Sequence, residues 1–159
     1  IVLIGMPGCG KTTVGKVVAA RLMREFVDID TLVEHRVGKS SQRIYREDGE
    51  EFFRLHETEV IEALAGQHGL VISTGGGACL KPRNRMLLAL NGTFYWMQRP
   101  LSKLSTYNRP IPQARGVEAL YEERAPIYRD LAERIITVKS VDATASEIIG
   151  ESSASRVAP

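Results

Sequence analysis

Ile1-Val2-Leu3-Ile4-Gly5-Met6-Pro7-Gly8-Cys9-Gly10-Lys11-Thr12 is the stretch on which the reading of the whole chain turns. Its first four residues are an uninterrupted apolar run that stops at glycine, the pattern of a short strand buried on both faces. Gly5 to Thr12 fit GxxxxGK[ST], and apolar residues at helical spacing follow (Val14, Val17, Val18, Leu22), so a helix is expected over Lys11 to Met23. A glycine loop between strand and helix lets successive backbone N–H groups turn inward, and the helix N-terminus adds partial positive charge. Phosphate oxygens suit such a cradle, formed here by Gly8, Cys9, Gly10, Lys11, Thr12 and Thr13. Lys11 reaches the β- and γ-phosphates and the Thr12 hydroxyl is available to Mg²⁺. A turn that merely joins two elements is the competing reading, and the strand and helix flanks speak against it.

Working outward, the same alternation repeats. Phe26 to Asp30 reads as a second strand ending in carboxylates, and Thr31 to Gln67 as helical with breaks at Gly38 and Gly49. Leu70 to Ser73 is a third strand running into Gly75-Gly76-Gly77. A helix follows Pro82, Thr93 to Met97 is a fourth strand, and Val117 to Glu133 is a helix. Ile135 to Val138 is a fifth strand, and Ala143 to Ile149 a last short helix. Strands alternating with helices imply right-handed βαβ units and a parallel sheet covered on both faces, a three-layer, doubly wound α/β fold. Ligands of such sheets bind beyond the carboxyl ends of the strands. The glycine loop, the Asp28/Asp30 pair and the triple glycine all follow strand ends, so they converge on one edge. One domain over 1–150 is expected, with residues 151–159 as a frayed tail.

Composition narrows the function classes. The chain has 159 residues, 21 Lys and Arg against 19 Asp and Glu, and a net charge of +2. With 43% hydrophobic and 25% charged residues, it falls outside the disordered and fibrous classes. The charges are interspersed, which argues against wholesale nucleic-acid binding. No apolar run reaches the roughly 18 residues of a membrane span. Cys9 and Cys79 have no partners at metal-ligand spacing, and a reducing, cytoplasmic setting is the default. The chain opens at Ile1, inside an apolar run and without Met, which implies that a few residues precede it.

Asp28 and Asp30, two apart in an extended strand end, are expected to point the same way. A kinase needs one carboxylate to position Mg²⁺ and its waters, and another to orient or deprotonate the attacking hydroxyl. The plainer alternative is that Asp30 caps the next helix. Gly75, Gly76 and Gly77 permit close backbone approach to a ligand, against the alternative of a flexible loop. Arg54, Arg109 and Arg124 carry the planar fork that suits carboxylates and phosphates, but composition alone does not raise them above solvated surface residues. His35, His56 and His68 lack mutual metal spacing and read as structural.

Together these residues resemble the shikimate kinases, from Ile1 to about Ile149. The resemblance rests on an ordered set: the phosphate loop, Asp28-Ile29-Asp30, the Asp48–Glu57 stretch holding Arg54, Ser73-Thr74-Gly75-Gly76-Gly77-Ala78, Asn108-Arg109-Pro110-Ile111, and Glu123-Arg124-Ala125-Pro126-Ile127-Tyr128-Arg129. It implies a five-stranded parallel sheet of the nucleoside-monophosphate-kinase type. It also implies ATP-dependent phosphorylation of the shikimate 3-hydroxyl by a monomer. Asp30 would bind the ring hydroxyls and activate one, Arg54 and Arg124 would clamp the carboxylate, and the backbone around Gly76 would seat the ring. Arg109, from a lid over about 102–116, would neutralise the transferring phosphoryl group. Thr12 would contact Mg²⁺ directly and Asp28 through water. The lid is about one helical turn shorter than the commoner pattern, and a familiar adenine-stacking arginine has no counterpart. Weak base discrimination and a lid that is mobile without ligand are therefore expected. A kinase of another small metabolite, a gluconate-like acid or a nucleotide, is the alternative. A kinase-like module that only binds ligand is a third, which intact Lys11, Asp30 and Arg109 disfavour.

Overall fold

The computed structural model describes residues 1–90, 92–104 and 115–154. Strands β1 (Val2–Ile4), β2 (Phe26–Asp28), β3 (Val71–Ser73), β4 (Phe94–Gln98) and β5 (Arg134–Thr137) form one parallel sheet in the order β2-β3-β1-β4-β5. Strand β1 is central, and the chain leaves it first toward one edge and later crosses to the other, which opens a crevice where it ends. The helices are α1 (Lys11–Leu22), α2 (Ile29–Val37), α3 (Ser41–Glu47), α4 (Glu50–Leu64), α5 (Pro82–Ala89), α6 (Val117–Leu131) and α7 (Val141–Ala154). Short 3₁₀ turns cover Ala78–Leu80 and Leu101–Lys103.

Strand residues alternate between two cores, as the two-residue period requires. Val2, Ile4, Ile72, Phe94 and Trp96 join the core under α2 to α6, which includes Val33, Phe53, Ile61, Leu88 and Leu120. Leu3, Val71, Tyr95 and Met97 face the other way onto Val14 and Val18 of α1 and Ala145 and Ile148 of α7. Burial on both faces is why β1 carries no polar residue. A Cβ at Gly15 would lie 2.6 Å from the Phe26 ring, so glycine sets how closely α1 packs on the sheet.

Three boundaries differ from the sequence reading. Strand β2 stops at Asp28 and helix α2 starts at Ile29, so Asp30 is a first-turn helical residue rather than a strand residue. The cap of α2 is Asp28, whose side chain accepts from the Thr31 N–H at 3.4 Å. Helix α7 runs on to Ala154, and Glu151 pairs with Arg134 at 2.7 Å, so the tail is helical past residue 150. The expected break at Gly38 is present, with φ 74° at the end of α2. Residues 105–114, with Arg109 and most of the expected lid, lie outside the described residues.

Candidate active site

Strand β1 delivers the chain into the glycine loop, and Gly5 takes φ 142° while a Cβ there would lie 2.6 Å from the Met97 carbonyl oxygen of β4. Only glycine fits that combination of positive φ and close approach. Beyond it, Gly8, Gly10, Lys11, Thr12 and Thr13 line a cleft of ≈ 510 Å³ with Asp28, Asp30, Ser73, Gly75 and Gly76. The buried Lys11 ammonium donates to the carbonyls of Gly5 (2.8 Å) and Met6 (3.0 Å). Thr12 Oγ1 donates to Asp28 Oδ2 at 2.7 Å, with Ser73 Oγ at 3.5 Å. Cys9 is the exception among the loop residues expected to meet phosphate. Its thiol is buried in the α1 core, and its N–H is turned to the Met6 carbonyl at 3.3 Å.

At the other end, the triple glycine is surrounded by charged side chains. A Cβ at Gly75 would lie 2.5 Å from Asp30 Oδ1 and 3.0 Å from Glu57 Oε1; one at Gly76, 3.1 Å from Arg124 Nη1; one at Gly77, 2.2 Å from Arg54 Nη2. None of these glycines has positive φ. Their use is therefore space, not conformational freedom, and what approaches the backbone so closely is the protein's own carboxylates and guanidinium groups. Gly75 and Gly76 line the cleft, whereas Gly77 backs onto Arg54.

Each of these charges has a distinct setting. Arg54 Nη1 meets both oxygens of Glu57 at 2.9 Å, one helical turn along α4, and Nη2 meets Glu50 at 3.2 Å. Glu57 is fully buried, and burial pushes its carboxyl up against the pull of Arg54. Arg124 is 2% exposed; among the described residues its Nε and Nη2 have no hydrogen-bond partner, and Nε has only a long ion pair with Glu123 at 3.8 Å. Asp30 Oδ1 is likewise buried and unpartnered. Burial, then the carboxylates of Glu57 and Asp28, raise the Asp30 pKa from 3.8 to about 7, against the pull of Lys11 and Arg54. A buried carboxyl with its pKa raised to about 7, and guanidinium nitrogens without hydrogen bonds around the same triple glycine, are chemistry suited to a polar, anionic ligand.

Comparison with known proteins gives the family. A family model described as shikimate kinase matches residues 7–153. A shikimate kinase of Aromatoleum aromaticum is 39% identical over 145 residues, covering 86% of this chain and 83% of that one.

The chain belongs to the shikimate kinase family.

Another member, from Clostridium botulinum, is 35% identical over 157 residues, covering 95% and 93% of the two chains. The solved shikimate kinase of Acinetobacter baumannii in complex with shikimate superposes with a TM-score of 0.91 at 31% identity, over 99% of this chain and 94% of that one. Membership makes this chain an enzyme, a kinase of the shikimate pathway with ATP as co-substrate.

Within this shikimate kinase fold, the cleft brings together Lys11, Thr12, Asp28, Asp30, Gly75 and Gly76, with Arg54 and Arg124 behind the glycines. Sequence reasoning missed Glu57, Tyr128, Ser73 and Arg99. Glu57 was within reach, three residues after Arg54 on one helix. Tyr128 sits one turn beyond Arg124 and donates its hydroxyl to the Gly76 carbonyl, with the Gly5 carbonyl 3.3 Å away. It ties the two glycine loops together. Among the described residues no helix is long and apolar enough to cross a membrane.

Proposed function

We propose that this enzyme transfers the γ-phosphoryl group of ATP to the 3-hydroxyl of shikimate, giving shikimate 3-phosphate and ADP, and that the residues divide the work as follows. The observation that carries the reading is that a buried carboxylate oxygen at Asp30 and buried nitrogens at Arg124, on either side of the triple glycine, both lack hydrogen bonds among the described residues. A ligand with hydroxyls at one end and a carboxylate at the other satisfies both.

Arg124, with Arg54 held rigid by Glu57, takes the substrate carboxylate. Arginine suits this because its planar fork can make paired bonds. Asp30 accepts hydrogen bonds from ring hydroxyls and removes the proton of the attacking one. A pKa near 7 suits a general base that must be ionised, yet basic enough, at neutral pH. The backbone of Gly75 and Gly76 lines the wall on which the ring rests. Backbone N–H groups of Gly8, Gly10, Lys11, Thr12 and Thr13 hold the phosphates at the N-terminus of α1. Lys11 exchanges its carbonyl acceptors for phosphate oxygens, and Arg109 neutralises charge on the group in transfer.

The donor set of Thr12, Asp28 and Ser73 consists of hard oxygens, which suits Mg²⁺ completed by phosphate oxygens and water. Thr12 would hold the ion directly and Asp28 through a water. Held there, the ion would supply positive charge that lowers the repulsion between the phosphates and the nucleophile. Among the described residues no group of three or more His, Cys, Asp or Glu forms a separate metal site. A cytoplasmic setting, with which two free, buried cysteines agree, and a monomeric state complete the reading. The test is a coupled assay for ADP release with shikimate, gluconate and nucleoside monophosphates as acceptors. Turnover with shikimate alone is expected, and turnover confined to the others would sink the assignment.

A further inference from the structure

Arg99 plays no part in that division of labour, yet it lines the phosphate cleft beside Gly10, Lys11 and Thr12. It lies just past the end of β4. The parallel register sets Ile4 against Trp96, so the end of β4 runs alongside the entry to the glycine loop. The close approach of Gly5 to the Met97 carbonyl shows how tightly the two segments abut. Pro100 follows, and a residue before proline is disfavoured from helical backbone, which keeps Arg99 on the line of the strand. The side chain therefore leaves the sheet at its carboxyl edge, where ligands of such folds bind.

Its electrical surroundings are unbalanced. Of the described residues lining the cleft, Lys11 and Arg99 are the cations, against Asp28, Asp30 and Glu34. Lys11 is buried and bonded to two carbonyls. Arg99 is exposed and makes no hydrogen bond or ion pair among the described residues. A polyphosphate entering a cleft with three carboxylates needs positive charge at the entrance, and a guanidinium that breaks no existing bond to supply it is well suited.

We propose that Arg99 binds the phosphate chain of the nucleotide, as a cation fixed to the sheet edge. The proposal rests on the kinase reading of the cleft but not on the identity of the acceptor. In the intact enzyme, Arg99→Ala is expected to raise the KM for ATP about tenfold while the KM for shikimate stays within about twofold. Arg99→Lys, which keeps the charge without the fork, should recover part of the loss. The KM for ATP should also depend less on salt in Arg99→Ala, because one screened attraction is gone. Calorimetry with ADP and with adenosine separates the phosphates from the base: ADP affinity should fall in Arg99→Ala and adenosine affinity should not. An unchanged KM for ATP would mark Arg99 as a solvated surface residue and overturn the proposal. So would an equal rise in KM for both substrates, which signals a distorted cleft, or equal losses for ADP and adenosine. Should the wild-type enzyme refuse shikimate yet bind ADP, the acceptor assignment fails while the calorimetric comparison still decides on Arg99.

Discussion

At the phosphate-loop end of the cleft, Lys11, Thr12 and the loop N–H groups come from one short stretch of chain, and both side chains already have partners. Lys11 rests on the carbonyls of Gly5 and Met6, and Thr12 on Asp28. At the triple-glycine end, Asp30 comes from α2, Arg54 and Glu57 from α4, and Arg124 from α6, meeting around a loop after β3. There the polar groups are only partly satisfied, with Asp30 and Arg124 left holding buried atoms that make no hydrogen bond among the described residues. On the proposed division of labour, the difference follows from the ligand. Phosphate is common to many substrates and can be met by backbone N–H groups. A particular hydroxyl acid can be told from others only by side chains set at fixed separations. Discrimination of that kind is strongest when buried polar groups go unpaired with the wrong ligand.

If the acceptor end is strained for function in this way, its residues should show opposite effects on turnover and on stability. The largest effect is expected at Asp30. Asp30→Asn should lower kcat by about a thousandfold, since the amide cannot take a proton, while ATP binding persists. Near-normal turnover in this variant would remove Asp30 from catalysis. The pKa of Asp30 gives a second handle. It is raised in the fold, so its contribution to stability is fully present below 3.8 and lost as pH rises through about 7. Ligand-free Asp30→Asn should therefore melt above the wild type on the alkaline side of that window, the gap closing toward acid. The wild-type kcat/KM for shikimate should rise with pH through a limb near 7, and a limb at an ordinary carboxylate value would contradict the buried-base account.

Next in size is Arg124→Met. Replacing a buried cation with unsatisfied nitrogens by an apolar side chain of similar length should stabilise the ligand-free protein by about 1–3 kcal/mol. The same change should raise the KM for shikimate at least about tenfold. A fall in melting temperature instead would show that Arg124 is already well satisfied. Arg54→Lys should raise the KM for shikimate about tenfold, or ~1.4 kcal/mol, leaving the KM for ATP unmoved, because charge remains but the fork held by Glu57 is gone. A rise in the ATP value alone would assign Arg54 to the other end. The smallest effect is expected at Tyr128→Phe, which removes the hydroxyl bridging the Gly76 and Gly5 carbonyls. About 1 kcal/mol of stability should be lost in denaturant titration. Loss without any change in either KM would show that the two ends hold their shapes independently.

The sequence alone determined the sheet and the phosphate loop, and it named the candidate site residues. Their signals are local: apolar runs a few residues long, glycine punctuation, and GxxxxGK[ST] between strand and helix. It also supplied Arg54 and Arg124 as names, through an ordered set of motifs, without saying where their nitrogens lie. Only the tertiary structure decided the environment of each charge. Asp30 looked like a strand-end carboxylate, yet it sits in the first turn of α2, where Glu57 from another helix and burial together raise its pKa. The triple glycine looked like a flexible loop or a seat for ligand, yet each position makes room for a charged group from elsewhere in the chain. Cys9 looked like part of the phosphate cradle, and packing turned it into the core. Arg99 carried no signal in the sequence, and the pairing of β4 with β1 put it at the cleft. Local pattern fixes backbone geometry because hydrogen bonding and side-chain periodicity act over a few residues. Desolvation, charge pairing and close approach depend on neighbours tens of residues away, and these exist only once the chain has folded.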